Sequence, residues 1–169
     1  DLFSFPLPGS LPNVGFPLGN IDGQVDWLIA CGSRNITIEL YNQSFSELDK
    51  VYYTSLDANG NYSTPAFPIG TYDVLITVEG YLAQLYSDVL VEESTNQLDV
   101  SGIVAGDLNA SNGVNIQDMS SVISVFGTSL GDSNYNVLAD FNCDGFINIV
   151  DITIINISFG LVGDTPPNE

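Results

Sequence analysis

Residues 140–151, DFNCDGFINIVD, place Asp and Asn at alternate positions just before a glycine. Asp140, Asn142 and Asp144 occupy positions 1, 3 and 5 of this stretch, and Asp151 closes it at position 12. Alternate side chains all point inward when a chain wraps around an ion, and the glycine permits the sharp turn. Calcium takes roughly six to eight oxygen ligands of this kind. The stretch therefore predicts a calcium-binding loop.

A second, diverged copy precedes this loop. Residues 107–127, DLNASNGVNIQDMSSVISVFG, align with residues 140–160, DFNCDGFINIVDITIINISFG, at an offset of 33 (107 to 140). In the first copy Ser111 and Asn112 replace the acid and the glycine at positions 5 and 6, and Asn tolerates a left-handed backbone. The first loop has two carboxylates against three in the second, so we predict that the second binds calcium more tightly.

The second copy matches the EF-hand-type pattern, in which position 7 contributes its backbone carbonyl. The predicted ligands of both loops are Asp107, Asn109, Ser111, Gly113, Asn115, Asp118, Asp140, Asn142, Asp144, Phe146, Asn148 and Asp151. A purely structural turn rich in Asp and Asn is the alternative. The runs MSSVISVFG and ITIINISFG have helical length but many β-branched residues, so calcium and mutual packing must impose the helices.

The segment before the repeat has the pattern of short strands. The runs NITIELYN, KVYYTSL and TYDVLITVEGY alternate apolar and polar residues, and turn-forming stretches such as DANGN and EESTN separate them. We predict a mainly β chain with a small α part: an antiparallel β-sandwich over 21–101, a pair of calcium loop–helix units over 102–160, and a tail over 161–169.

Residues 1–20 are rich in proline and apolar side chains, which favours an extended path. This segment either lies along its own domain or adds a strand to a neighbouring copy. The candidate self-assembly residues are Phe3, Phe5, Leu7, Leu11, Phe16 and Leu18.

The chain contains two cysteines, Cys31 and Cys143. In an exported protein they favour a disulfide, either within one chain or between neighbouring subunits. Two free thiols are the alternative. A zinc site is not expected from two cysteines in a chain without histidine.

Two family resemblances follow from these motifs. The segments GQV (23–25), DANGNYS (57–63) and IGTYDVLITVEGY (69–81) resemble carboxypeptidase-regulatory-like and collagen-adhesin B-type sandwich modules, which serve as spacers or scaffolds. The two loop–helix units over 103–160 resemble a type I dockerin, which implies binding to a cohesin.

In the dockerin family, partner recognition lies largely at positions 10, 11, 17 and 18 of each copy. Here these positions hold Ile116, Gln117, Ile123, Ser124, Ile149, Val150, Asn156 and Ile157. None is basic and most are apolar, so this surface contacts a cohesin, the sandwich or another copy of the chain.

Composition excludes several classes of function. The chain of 169 residues has 21 acidic and two basic residues, for a net charge of -19, which disfavours nucleic acid and anionic membrane surfaces. An acidic surface adapted to salt or low pH is an alternative reason for this charge. With no histidine and one lysine, Lys50, the chain is not expected to be an enzyme.

An extracellular or cell-surface protein is expected from the number of N-x-Ser/Thr sequons. The start at Asp1 fits removal of a signal peptide, and it equally fits a fragment of a longer protein. The glycosylation candidates are Asn35, Asn42, Asn61 and Asn156, and a fifth sequon starts at the predicted ligand Asn109.

Three functions are compatible with these features. The leading hypothesis is a self-associating surface or filament subunit that uses its apolar N-terminal segment. The alternative is an anchoring module that binds a separate cohesin. The third is binding to a polysaccharide, for which the candidate residues are Trp27, Tyr52, Tyr53, Tyr72, Tyr81 and Tyr86.

Overall fold

The computed structural model of the chain describes residue 15 and residues 17–26, 33–43 and 47–167. Its strands are β1 (Leu18–Gln24), β2 (Asn35–Asn42), β3 (Glu47–Ser55), β4 (Asn61–Ser63), β5 (Phe67–Pro68), β6 (Gly70–Val78), β7 (Gly80–Tyr81), β8 (Gln84–Val91), β9 (Thr95–Gln97) and β10 (Ala105–Asp107). Its helices are α1 (Ile116–Ser124), a 3₁₀ helix (Val137–Ala139) and α2 (Ile149–Ser158).

The first nine strands include the two main sheets of a sandwich. One sheet has the order β3-β2-β6-β8 and is antiparallel throughout. The other has the order β4-β1-β5, with β9 also paired to β1. The sheets are antiparallel, as predicted, except that β9 runs parallel to β1, with Asn20 opposite Thr95.

Alternation of apolar residues sets the register of the central strand β2. Ile36, Ile38 and Leu40 are all at most 1% exposed, as expected for a strand whose alternate side chains face a core. Their cluster also contains Phe67 and Tyr72, whose rings meet edge-on at 5.4 Å between centroids. The run NITIELYN therefore forms the strand that its pattern predicts.

One predicted boundary needs correction. β1 begins at Leu18, so the end of the segment 1–20 lies along its own domain, which is the first of its two predicted alternatives. Leu18 pairs with Pro68 of β5 and is 51% exposed. The other self-assembly candidates, Phe3, Phe5, Leu7, Leu11 and Phe16, lie outside the described residues.

The helices α1 and α2 pack on a second core. Its buried members include Val114, Val122, Ile147 and Ile155, each at most 1% exposed. Asn115 and Asn148 start the two helices, and each helix has a capping box with the Asp three residues later. The position of Asp151 at the end of the loop predicts that the second helix begins there, but both helices begin at position 10, two residues before the Asp at position 12.

The two loop–helix units are joined by backbone hydrogen bonds from position 8 of each loop. Ile147 in the second loop donates its N–H to Thr128, just after α1, at 2.9 Å. Val114 in the first loop donates its N–H to Leu161, just after α2, at 2.9 Å. The equivalent residue of each copy therefore holds the end of the other copy's helix, which gives the pair a pseudo-two-fold arrangement.

Candidate calcium loops and docking face

The carboxylates at position 12 have matching hydrogen bonds in the two loops. Asp118 accepts the backbone N–H of Leu108 at 3.0 Å and of Asn115 at 2.9 Å. Asp151 accepts the equivalent N–H groups of positions 2 and 9 at 2.8 and 2.9 Å. Each carboxylate therefore ties the start of its loop to the start of its helix.

The carboxylates at position 1 also turn into their loops. Asp107 accepts the N–H of Ser111 at 2.9 Å through Oδ1. Asp140 accepts the N–H of Gly145 at 2.9 Å through Oδ2, which also accepts the hydroxyl of Tyr135 at 2.6 Å. Positions 1 and 12 thus lie on the inner side of each loop, as the spacing predicts.

Both loops share an unusual backbone conformation at the same two positions. Position 4 is left-handed in both copies, with φ of 56° at Ala110 and 59° at Cys143. Position 6 is also left-handed, with φ of 59° at Asn112 and 84° at Gly145. Non-glycine residues rarely adopt this region, so the shared conformation shows that Asn at position 6 preserves the turn.

Four carboxylates are buried in these loops although the chain has only two basic residues. Asp107 is 4% exposed, Asp140 is 3% exposed, and Asp118 and Asp151 are fully buried. Burial raises the pKa of Asp151, the backbone N–H donors partly oppose this rise, and the charge of Asp140 adds to it. Buried carboxylates are costly without a counter-charge, and a divalent cation would supply one.

The exposed positions of the loops differ in charge between the copies. The Asn142 side chain and the N–H of Phe146 donate to Asp144 at 2.9 and 2.8 Å and hold the pKa of this exposed carboxyl below its usual range. At the matching position of loop one, Ser111 donates its hydroxyl to the carbonyl of Gly113 at 3.2 Å. Loop one thus has a hydroxyl where loop two has a carboxylate.

The donor set fits calcium only when amide and carbonyl oxygens take part. Among the described residues, no group of three or more His, Cys, Asp and Glu side chains is arranged to hold a metal ion. Each loop would therefore complete its ligands with Asn side chains and with the backbone at position 7. Such all-oxygen sets suit calcium and do not suit zinc.

All eight residues predicted to face a partner are exposed. They are Ile116, Gln117, Ile123 and Ser124 on α1, and Ile149, Val150, Asn156 and Ile157 on α2. The two copies match closely at position 10, where Ile116 is 65% and Ile149 is 66% exposed. The alternative that this surface packs on the sandwich is therefore wrong. We call these eight residues the docking face.

An apolar cavity of about 300 Å³ opens beside the docking face on the α2 side. Ile157 of the docking face lines it together with Ile154 and Leu161. Ile103 and Val104, in the connection to the sandwich, form another part of its wall. The apolar surface thus continues from the helices towards the sandwich.

The tail fastens loop one to the sandwich, which the sequence did not reveal. Asn112 accepts the N–H of Ala83 at 2.9 Å and donates its side-chain amide to the carbonyl of Asp164 at 2.8 Å. Asp164 in turn donates its N–H to the carbonyl of Ala83 at 3.0 Å. A Cβ at Gly163 would lie 2.1 Å from the Asn112 oxygen, so glycine is needed there. The Asn that replaces glycine in loop one is therefore a structural link.

Cys143 connects loop two to the sandwich. Its side chain packs against the sandwich core, and it is disulfide-bonded, so the alternative of a free thiol at this position is wrong. The other candidate, Cys31, lies outside the described residues.

The aromatic candidates for sugar binding do not share one surface. Tyr72 and Tyr81 are buried in the sandwich core, at 1% and 3% exposure, so they cannot line a binding face. Tyr53 is 81% exposed, and Trp27 lies outside the described residues. The remaining two tyrosines are partly buried.

Three of the four glycosylation candidates are exposed. Asn35, Asn61 and Asn156 are exposed, whereas Asn42 at the end of β2 is partly buried. Asn156 belongs to the docking face, so a glycan there would compete with a docked partner.

The curated proteins similar to this chain are cellulosomal-scaffolding proteins. No family model matches the chain. The cellulosomal-scaffolding proteins A and B of Acetivibrio thermocellus are each 32% identical to it over 114 residues, or 64% of the chain. The aligned part spans only 15% of protein B and 6% of protein A.

Solved structures show the fold. The chain matches a chain of two interface mutants of the type II cohesin–X–dockerin complex from Acetivibrio cellulolyticus, with TM-scores of 0.63 and 0.65 and 24% identity. Each match covers 85% of this chain and 97% of the other. The order of sandwich and helical pair is therefore an architecture already seen in such a complex.

No helix among the described residues is long and apolar enough to cross a membrane.

Proposed function

We propose that this chain is a non-enzymatic docking module that anchors its protein to a cohesin-type partner in an extracellular scaffolding complex. The observation that carries the proposal is the docking face, built from equivalent positions of two loop–helix units. Five of its eight residues are isoleucine or valine, and none is charged.

The charge of the chain makes this surface distinctive. The net charge is -19, yet the docking face contains no acidic residue. Depletion of charge at an exposed apolar patch is typical of the centre of a protein–protein interface. The four isoleucines of this face are between 58% and 74% exposed, so a partner would remove much apolar surface from water.

The relatives support the same class of partner. The solved neighbours belong to complexes of a cohesin with an X–dockerin chain, and the curated relatives are cellulosomal scaffolding proteins. Because those complexes contain a cohesin as well as a dockerin, a cohesin role for this chain is the competing proposal. The two repeated loop–helix units favour the dockerin role.

Calcium belongs to this proposal as the counter-charge of the loops. When bound, the ion would neutralise the buried carboxylates at positions 1 and 12, and amide and carbonyl oxygens would complete its shell. Loop two has the extra carboxylate of Asp144, so it remains the proposed tighter site.

Self-association through the N-terminal segment has less support. Five of its six candidate residues lie outside the described residues, and Leu18 belongs to a strand of its own sandwich. Binding to a polysaccharide likewise stays a prediction from sequence.

Isothermal titration calorimetry with a purified type II cohesin tests the proposal. We expect binding in calcium that is lost in EGTA. Ile157→Asp in the docking face should abolish binding because it buries an unpaired charge. The matched control is Leu90→Asp, which changes a residue of similar exposure, 61%, on sandwich strand β8.

Three other outcomes would each contradict one part of the proposal. Binding to a dockerin instead of a cohesin would assign the cohesin role. Equal loss of binding in the Leu90 and Ile157 variants would remove the docking face from the interface. Concentration-dependent self-association without cohesin binding, seen by light scattering, would restore the filament hypothesis.

A further inference from the structure

Arg34 is a buried arginine at the junction between the sandwich and the helical pair. It is 2% exposed, and its guanidinium lies 5.4 Å from the centre of the Tyr81 ring. Nη1 donates to the carbonyl of Glu79 at 3.2 Å, and Nη2 donates to the carbonyl of Val137 at 2.9 Å. Nε has no hydrogen-bond partner among the described residues. One guanidinium thus joins a sandwich turn to the segment before loop two.

The contact with Val137 fixes the entry to loop two. Val137 starts the 3₁₀ helix that ends at Ala139, directly before the position 1 carboxylate of Asp140. On the other side of Asp140, Cys143 at position 4 packs against the sandwich core. The first turn of loop two is therefore held to the sandwich at both of its ends.

Loop one is attached to the same turn by different means. Asp107 ends β10, and its backbone pairs with Gly80 of β7. Gly80 has φ of 88°, and a Cβ there would lie 3.0 Å from Nη1 of Arg34. The turn at Glu79 and Gly80 is therefore connected to loop one by strand pairing and to loop two by the hydrogen bonds of Arg34.

We propose that Arg34 is a positioning residue through which the sandwich holds loop two in its calcium-binding geometry. This inference rests on the proposed calcium binding. Groups that orient metal ligands from outside the ligand shell commonly change metal affinity by about ten- to a hundredfold.

The charge and the geometry of Arg34 make opposite predictions. A buried cation close to a calcium site repels the ion, so removal of the charge alone would tighten binding. Loss of the two hydrogen bonds to carbonyls lets the residues that lead into loop two move. Calcium binding should then be weaker, because the ion must also order the loop. The sign of the change in affinity therefore separates the two roles.

The experiment is a calcium titration of the full chain followed by ¹H–¹⁵N NMR. The amide of Gly145 reports on loop two, because it donates to Asp140, and the amide of Ser111 reports on loop one, because it donates to Asp107. The first variant, Arg34→Met, removes the charge and both hydrogen bonds to the carbonyls of Glu79 and Val137. The second, Arg34→Lys, keeps the charge but cannot donate to both carbonyls from two guanidinium nitrogens. Lys50→Met is the matched control, since it makes the same charge change on β3.

We expect about tenfold weaker calcium binding at Gly145 in both Arg34 variants and less than about twofold change at Ser111. Lys50→Met should change neither site. Tighter or unchanged binding at Gly145 would overturn the proposal, as would equal weakening of both loops. If Arg34→Met does not fold, the Lys variant decides by the same criterion.

The wild-type titration distinguishes failure of calcium binding from failure of the positioning role of Arg34. If calcium shifts neither amide in the wild type, the proposed calcium binding fails and the positioning role fails with it. If the wild type binds and the Arg34 variants bind equally well, only the positioning role is wrong.

Discussion

Two isoleucines on the same helix, Ile155 and Ile157, should respond oppositely to truncation. Ile155 is fully buried in the second core, where a Cβ added at Gly106 would lie 3.3 Å from its side chain. Ile157 is 74% exposed on the docking face. Their replacement by alanine removes the same atoms from two different environments.

The expected stability losses follow from these environments. Truncation of a buried isoleucine to alanine costs roughly 2 to 5 kcal/mol, and tight surroundings that cannot collapse place Ile155→Ala in the upper half of that range. Ile157→Ala loses little burial and gains helix propensity, so its free energy of unfolding should change by less than about 0.5 kcal/mol.

The assay is urea denaturation in calcium, with NMR amide intensities in α1 and α2 as the reporters and linear extrapolation to water. Cohesin binding is then measured for the folded variants. Ile157→Ala should lose affinity with its stability intact. A loss of stability as large as that of Ile155→Ala would show that Ile157 packs inside the domain and would refute the docking face.

Three further predictions test local features. Gly80→Ala should lower the free energy of unfolding, measured in urea, by roughly 1 to 3 kcal/mol, because the new Cβ is strained at a φ of 88° and also makes a close contact. The control Gly102→Ala places its Cβ more than 4 Å from any neighbour and should cost less. Asn112→Gly keeps the turn but loses two hydrogen bonds to the sandwich and tail, so amide exchange after residue 161 should accelerate. Hydrogen bonds from Asn61 hold the pKa of Asp57 below the ordinary 3.8. The resulting stability is present above that value and is lost as pH falls through the lowered pKa, so the difference in Tm between wild type and Asp57→Asn should shrink as the pH falls below 3.8.

Features that depend on neighbouring residues were predictable from sequence. The strand β2 follows from alternation within eight residues, and the repeat locates both loops and helices. The eight positions of the docking face come from the resemblance to dockerins, and the repeat places them at equivalent sites of α1 and α2. The start of the second helix was missed by two residues, because the capping box of Asn148 begins the helix before Asp151.

Features that depend on distant pairs were not predictable in this way. Arg34 donates to Val137 across 103 positions of chain, and no local pattern marks either residue. The parallel pairing of β1 with β9 likewise joins Asn20 to Thr95. The sequence predicts only that Asn112 tolerates the turn, but its side chain also forms hydrogen bonds with Ala83 and Asp164, which only the fold brings together.

The proposed docking role is tested most directly by the footprint of the bound partner, measured by hydrogen–deuterium exchange of the full chain with type II cohesin in calcium. A cohesin bound at the docking face should give new protection in α1 and α2 and none in the sheet β3-β2-β6-β8. Protection on that sheet, or no binding to cohesin, would contradict it.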